Sequence, residues 1–132
     1  DDSLEDGSYY LTMFDNSFGY AMTRPDYDWS KIGLSTAQSA KDADSRSQLR
    51  KYLVDEKTGT YTEVNSFEVP YSPYVSSVQE IDDDLNLVDS GMQGLFGMYD
   101  ADGTLQAQYA MRLASSYIYR VHLYDFQGFY FA

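Results

Sequence analysis

Apolar and polar residues alternate with a period of two along most of this chain. Asp, Asn, Gly, Ser and Pro break the alternation at short intervals. That pattern predicts a succession of β-strands joined by tight turns. Gly7–Phe14, "GSYYLTMF", reads as the first strand, ended by Asp15-Asn16-Ser17. Ser47–Val54, "SQLRKYLV", puts Leu49, Lys51 and Leu53 on one face and Arg50, Tyr52 and Val54 on the other. In Thr60–Val69, "TYTEVNSFEV", the alternation places Tyr61, Glu63, Asn65, Phe67 and Val69 together. Pro70 and Pro73 bound a corner. Further strands are expected in "YVSSVQEI" (74–81), "LNLVDS" (85–90), "GLFGMYD" (94–100), "TLQAQYAMRL" (104–113) and "YIYRVHLYDF" (117–126), before a very apolar end, "QGFYFA". Residues 17–45 fit no strand. They form a long irregular excursion holding Arg24-Pro25 and Trp29, in which "STAQSAKDADS" has room for one helical turn. Connections of this length are usually functional or mobile.

One turn is written twice. "DEKTGT" (55–60) and "DADGT" (100–104) each join two alternating runs, and their glycines recur at a period of about 44 residues, the spacing of a β-propeller blade. The strand order around the turns also repeats. The expected fold is therefore all-β, a partial β-propeller of about two four-stranded antiparallel blades and a further strand. Residues 1–70 would be an incomplete blade lacking its first strand and carrying the loop 17–45. Residues 71–114 would be a complete blade, and 115–132 would supply a strand of another.

Composition adds a core and removes several partners. The chain has 132 residues, 43% of them hydrophobic, with 14 Tyr and 7 Phe, which suits pleated and packed sheets. Its formal net charge of −12 argues against a nucleic-acid backbone or an anionic membrane surface as a partner. A small anion is still compatible with it where an arginine sets the local field. There is no cysteine, so disulfides and thiolate chemistry are out. No run approaches the roughly 20 apolar residues of a membrane-spanning helix.

Five stretches, in order, carry a resemblance: "DGSYYLTMFDNS" (6–17), "YLVDEKTGTYTEV" (52–64), "YSPYVSSVQEI" (71–81), "LVDSG" (87–91) and "YRVHLYDF" (119–126). Together they resemble the C-terminal part of bacterial aryl-sulfate sulfotransferases, secreted six-bladed propellers that move a sulfuryl group from an aryl sulfate to a phenol. The resemblance implies that Asp1 lies inside a blade and that three or four blades precede it. It implies a periplasmic or extracellular setting, a phenol or aryl sulfate as partner, and no cofactor or metal. It also implies a histidine nucleophile that attacks sulfur, with further histidines and an arginine holding the sulfate oxygens. Imidazole suits that attack because it is a neutral nucleophile near pH 7, and cationic donors suit an anionic transition state.

The chain departs from the pattern at the chemistry. Where the resemblance leads one to look for the nucleophile, Leu87-Val88-Asp89-Ser90-Gly91 offers Asp89. No arginine follows "FDN" closely, which leaves Arg24 or Arg46 as substitutes. The single histidine, His122, shares a strand face with Arg120 and Tyr124. One histidine cannot make a two-histidine site, so this chain alone is expected to be inactive. The candidate site residues are Asp89, Arg46, Asn16 at the "FDN" turn and Arg120.

Other chemistries are weaker. Asp82-Asp83-Asp84 with Glu80, and Asp100 with Asp102, lack the spacing of a calcium loop. No carboxylate pair stands out for glycoside hydrolysis, and no nucleophile elbow, dinucleotide fingerprint or phosphate loop is present. The alternative reading is a non-catalytic extracellular β-module binding a ligand or partner through Tyr9, Tyr10, Tyr20, Tyr27, Trp29, Tyr71 and Tyr74. An open blade edge and the terminal Phe129, Tyr130 and Phe131 make self-association the expected partner mode.

Overall fold

The structure is a computed structural model that describes residues 4, 6–112, 114 and 117–125. It is all-β, built as two antiparallel sheets. The first contains β1 (Ser8–Asp15), β2 (Arg46–Asp55) and β3 (Thr60–Pro70) in sequence order. The second contains β4 (Ser77–Asp82), β5 (Leu85–Ser90), β6 (Leu95–Asp100) and β7 (Leu105–Ala110), again in order. Each expected strand up to residue 110 is present within a few positions. The excursion between β1 and β2 is irregular as expected, but its helical turn is a 3-10 turn at Trp29–Ile32 rather than in residues 35–45. Asp28 caps that turn, accepting from the Ser30 amide.

The two Asp-Gly turns occupy equivalent places, between the last two strands of each sheet. Asp55 ends β2 and its carboxylate accepts from the Lys57 and Thr58 amides. Asp100 ends β6 and accepts from the Asp102 and Thr104 amides. Gly59 and Gly103 both sit at positive φ, 65° and 80°, where a side chain is strained.

One face of the first sheet meets one face of the second. Phe14, Leu49, Phe67 and Val69 pack against Val78, Val88 and Tyr99. The Phe67 and Tyr99 rings stack at 5.7 Å. Asn65 donates to the Ala101 carbonyl and Lys51 pairs with Glu80 across the same boundary. A bulge corrects the expected facing of β3. Lys51 pairs with Asn65 but Tyr52 pairs with Glu63, so one extra residue stands opposite this step. Asn65, Phe67 and Val69 keep the inner face. Tyr61 and Glu63 turn to the outer one, where Glu63 meets Arg50.

The last expected strand differs more. Among the described residues, 117–125 join no backbone ladder. The Ser77 hydroxyl instead exchanges hydrogen bonds with the amide and carbonyl of Val121, and the Gln79 amide group does the same for Leu123. The segment thus runs alongside β4 in the same direction, tied by side chains. Phe126 and the terminal Phe129, Tyr130 and Phe131 lie outside the described residues.

Candidate functional site

The end of β1 and the start of β4 meet because Asn16 links them. Its side-chain N–H donates to the Ser72 carbonyl at 2.6 Å and to the Ser76 hydroxyl at 3.2 Å. Asp15, one residue earlier, accepts from the Ser17 amide through one oxygen and from the Arg50 guanidinium through the other. Glu63 and Asp15 together hold Arg50 charged, raising its already high pKa further. The fixed Asp15 carboxylate in turn holds Ser17 at φ 54°. Across the gap Val75 sits at φ 53°, which is unusual for a β-branched residue. Non-glycine residues held in such conformations cluster at functional sites.

Between these two turns lies a cleft of about 270 Å³ lined by Asn16, Val75, Ser76, Tyr119 and Arg120. Three stretches separated widely in sequence supply it: the end of "FDN", the "SPYVSS" corner and the "YR" pair. Its donors are arranged for an anion. The Ser76 oxygen already accepts from Asn16, so its own hydrogen is free to point into the cleft. Arg120 is exposed and forms no ion pair among the described residues. A guanidinium and a hydroxyl make charge-assisted and neutral hydrogen bonds to oxyanions. Asn16 holds this arrangement in place and has its amide hydrogens engaged with protein.

The other sequence candidates lie elsewhere. Arg46 lines a larger cleft of about 530 Å³ with Lys41, Glu68, Tyr71 and Gln93. There it donates to the Ala43 and Ser45 carbonyls, and Glu68 on the same wall opposes an anion. Size therefore does not mark the better site. Asp89 pairs directly with Ser77 across β4 and β5, on the face that residues 117–123 cover. It is 0% exposed, and neither carboxylate oxygen has a hydrogen-bond partner among the described residues. Burial pushes its pKa up from 3.8 to about 7. It lines neither cleft. His122 is exposed and lies 5.8 Å from the Tyr124 ring, as their shared parity suggested.

The aromatic residues do not form one surface. Tyr71 is buried, with its hydroxyl donating to the Ala37 carbonyl. Tyr9 and Tyr10 are consecutive on β1 and face opposite ways. Trp29 packs edge-on against Tyr27. Tyr20 and Tyr74 both approach Phe18, a residue that composition alone did not single out.

The family model for arylsulfotransferase (ASST) matches residues 1–120, and the chain belongs to that family. No curated protein and no solved structure matches it.

Proposed function

We propose that the two sheets are neighbouring blades of a β-propeller and that the cleft of Asn16, Ser76 and Arg120 holds the sulfate oxygens of an aryl sulfate during sulfuryl transfer. The carrying observation is the convergence of residues 16, 76 and 119–120 on one cleft, where Asn16 holds the Ser76 hydroxyl beside the exposed Arg120 guanidinium. The blade reading draws support from strand direction. Innermost strands of successive blades run the same way, as β4 and residues 117–123 do. β1 meets β4 end to start, which is how the second strand of an incomplete blade, 1–70, would meet the first strand of the next, 71–114. Residues 115–132 would then open a third blade.

Transfer breaks the S–O bond of the aryl ester, releases phenolate and forms a bond from sulfur to a nucleophile. One histidine does not suffice for the family's chemistry, and an enclosed Asp89 cannot reach a substrate. The nucleophile would therefore come from protein beyond these 132 residues, which would supply the cleft with anion-holding groups but not turnover. A periplasmic or extracellular setting follows this reading through the family resemblance alone.

The test is an assay of this chain with 4-nitrophenyl sulfate and a phenol acceptor, together with calorimetric titration of 4-nitrophenyl sulfate. We expect binding without turnover, and binding weakened about tenfold or more in Arg120→Gln. Turnover by the chain itself, or an Arg120→Gln variant that binds unchanged, would contradict the reading.

A further inference from the structure

Asp89 is a carboxyl group that the proposed chemistry does not use. It is fully buried, and neither oxygen has a hydrogen-bond partner among the described residues. A carboxyl enclosed this way must stay protonated or gain water, because an unpaired buried charge is strongly disfavoured. Which element yields to water is set by how each one is held. Asp89 lies inside its sheet, with Ser77 of β4 opposite it on one side and Phe96 of β6 on the other. Those neighbours are held by backbone ladders. The covering segment, 117–123, is held more lightly. One backbone bond runs from the Ile118 amide to the Gly91 carbonyl, and the Ser77 and Gln79 side chains hold Val121 and Leu123.

The segment crosses close to Asp89. Gly91, two residues further on, packs so tightly beneath it that a Cβ there would overlap the Ile118 carbonyl oxygen. Ser77, whose hydroxyl grips Val121, is the direct cross-strand neighbour of Asp89. The same segment carries Tyr119 and Arg120 to the cleft of Asn16 and Ser76. Lifting it would admit water to Asp89 and take Arg120 out of that cleft in one movement. Few titratable groups share this face. β4, β5 and β6 place Ser77, Gln79, Leu87 and Phe96 on it. β7 adds Tyr109, stacked on Phe96 at 5.2 Å. The segment brings Tyr117, Tyr119, Arg120 and His122, all exposed, with Tyr124 and Asp125 beyond Leu123. No ion pair among the described residues involves Asp89. Burial is what raises its pKa, to about 7.

We infer that residues 117–123 are a proton-controlled latch: loss of the Asp89 proton favours lifting the segment off β4 and β5, and lifting withdraws Tyr119 and Arg120 from the cleft. The latch stands on the covering segment alone, whereas its effect on anions rests on the reading of the cleft as an oxyanion site. The sign follows from the two states. Covered Asp89 keeps its proton up to about pH 7, while hydrated Asp89 gives it up near the ordinary 3.8. The closed latch is therefore fully favoured below about pH 4 and loses ground as pH rises to about 7.

The test is amide exchange at Val121 and Leu123 at pH 5 and pH 7, each rate divided by the intrinsic rate of that amide. It is run on the chain and on Asp89→Asn and His122→Asn, because histidine ionises in the same range. We expect this ratio to rise about fiftyfold in the parent chain and in His122→Asn, and to stay level in Asp89→Asn. Amides of β5 should exchange more slowly at both pH values. A level ratio in the parent chain overturns the latch, and that measurement needs no variant to fold. A rise that persists in Asp89→Asn or vanishes in His122→Asn overturns it too, as does exchange at Val121 and Leu123 no faster than in β5. Sodium sulfate separates the latch from the oxyanion reading. It should slow exchange at Val121 and Leu123 in the parent chain and not in Arg120→Gln. If the pH response holds while sulfate has no effect, the latch stands and the oxyanion reading falls.

Discussion

The ring of Phe67, on the last strand of the first sheet, stacks on the ring of Tyr99 in the second at 5.7 Å and 29°. Phe67 also receives the β6–β7 turn, whose Gly103 lies directly against it. The two sheets therefore share one core rather than two. Phe67→Ala should cost roughly 2–3 kcal/mol, below the full range for a buried aromatic because Phe67 is only half-buried. Chemical denaturation should show one cooperative transition moving to lower denaturant. Two separated transitions, with only the first sheet affected, would mean that the sheets fold independently.

The repeated turns give a matched pair of substitutions. Both glycines have positive φ, so alanine at either should cost about 1–2 kcal/mol from backbone strain. A Cβ at Gly59 meets open space, whereas at Gly103 it would lie 2.6 Å from the Phe67 Cβ. Gly103→Ala should therefore lose roughly 1–3 kcal/mol more than Gly59→Ala through overpacking. Equal losses in thermal melts would show that the second turn does not bear on Phe67 as described.

Asp89 makes stability depend on pH in a defined window. Its folded pKa, about 7, lies above the ordinary 3.8, so the folded state binds the proton more tightly. Its contribution is fully present below about pH 4 and is lost as pH rises through about 7. The gap corresponds to roughly 4 kcal/mol. Asp89→Asn should match the parent near pH 4 and exceed it by a few kcal/mol at pH 8. A stability difference that stays constant from pH 4 to 8 would place the carboxyl in water.

Residues 117–123 are tied to β4 by side chains, so those ties can be removed without touching a ladder. Replacing Ser77 and Gln79 by alanine together should accelerate amide exchange at Val121 and Leu123 about thirtyfold, since each residue loses two hydrogen bonds worth roughly 1 kcal/mol apiece. Exchange in β5 and β6 should be unchanged. Unaltered protection at Val121 and Leu123 would mean that other contacts hold the segment.

Much of this was legible in the sequence, because strands with one buried face must alternate and Asp-Gly turns must end them. The failures have local causes. The bulge opposite Lys51–Tyr52 inverts the facing of Tyr61 and Glu63, and no residue type there announces it. "YIYRVHLYDF" has the composition of a paired strand, but its described part takes side-chain partners, Ser77 and Gln79, from a strand 44 residues earlier. Asn16 and Arg120 could be nominated from the resemblance, while their meeting at one cleft required the fold. Val75 gives no sequence sign of its positive φ, since β-branched residues ordinarily avoid it. Asp89 sits in an apolar run, "LNLVDS", which hinted at burial but not at its lack of partners.

The central claim is that Asn16, Ser76 and Arg120 form an oxyanion site. Its most direct test is an NMR titration of the 15N-labelled chain with sodium sulfate, following backbone amides and the arginine Nε–H groups at constant ionic strength. Saturable shifts are expected, confined to Asn16, Ser76, Tyr119 and Arg120 and abolished in Arg120→Gln. Shifts that do not saturate, or that centre on Arg46 and Lys41 in the larger cleft, would contradict it.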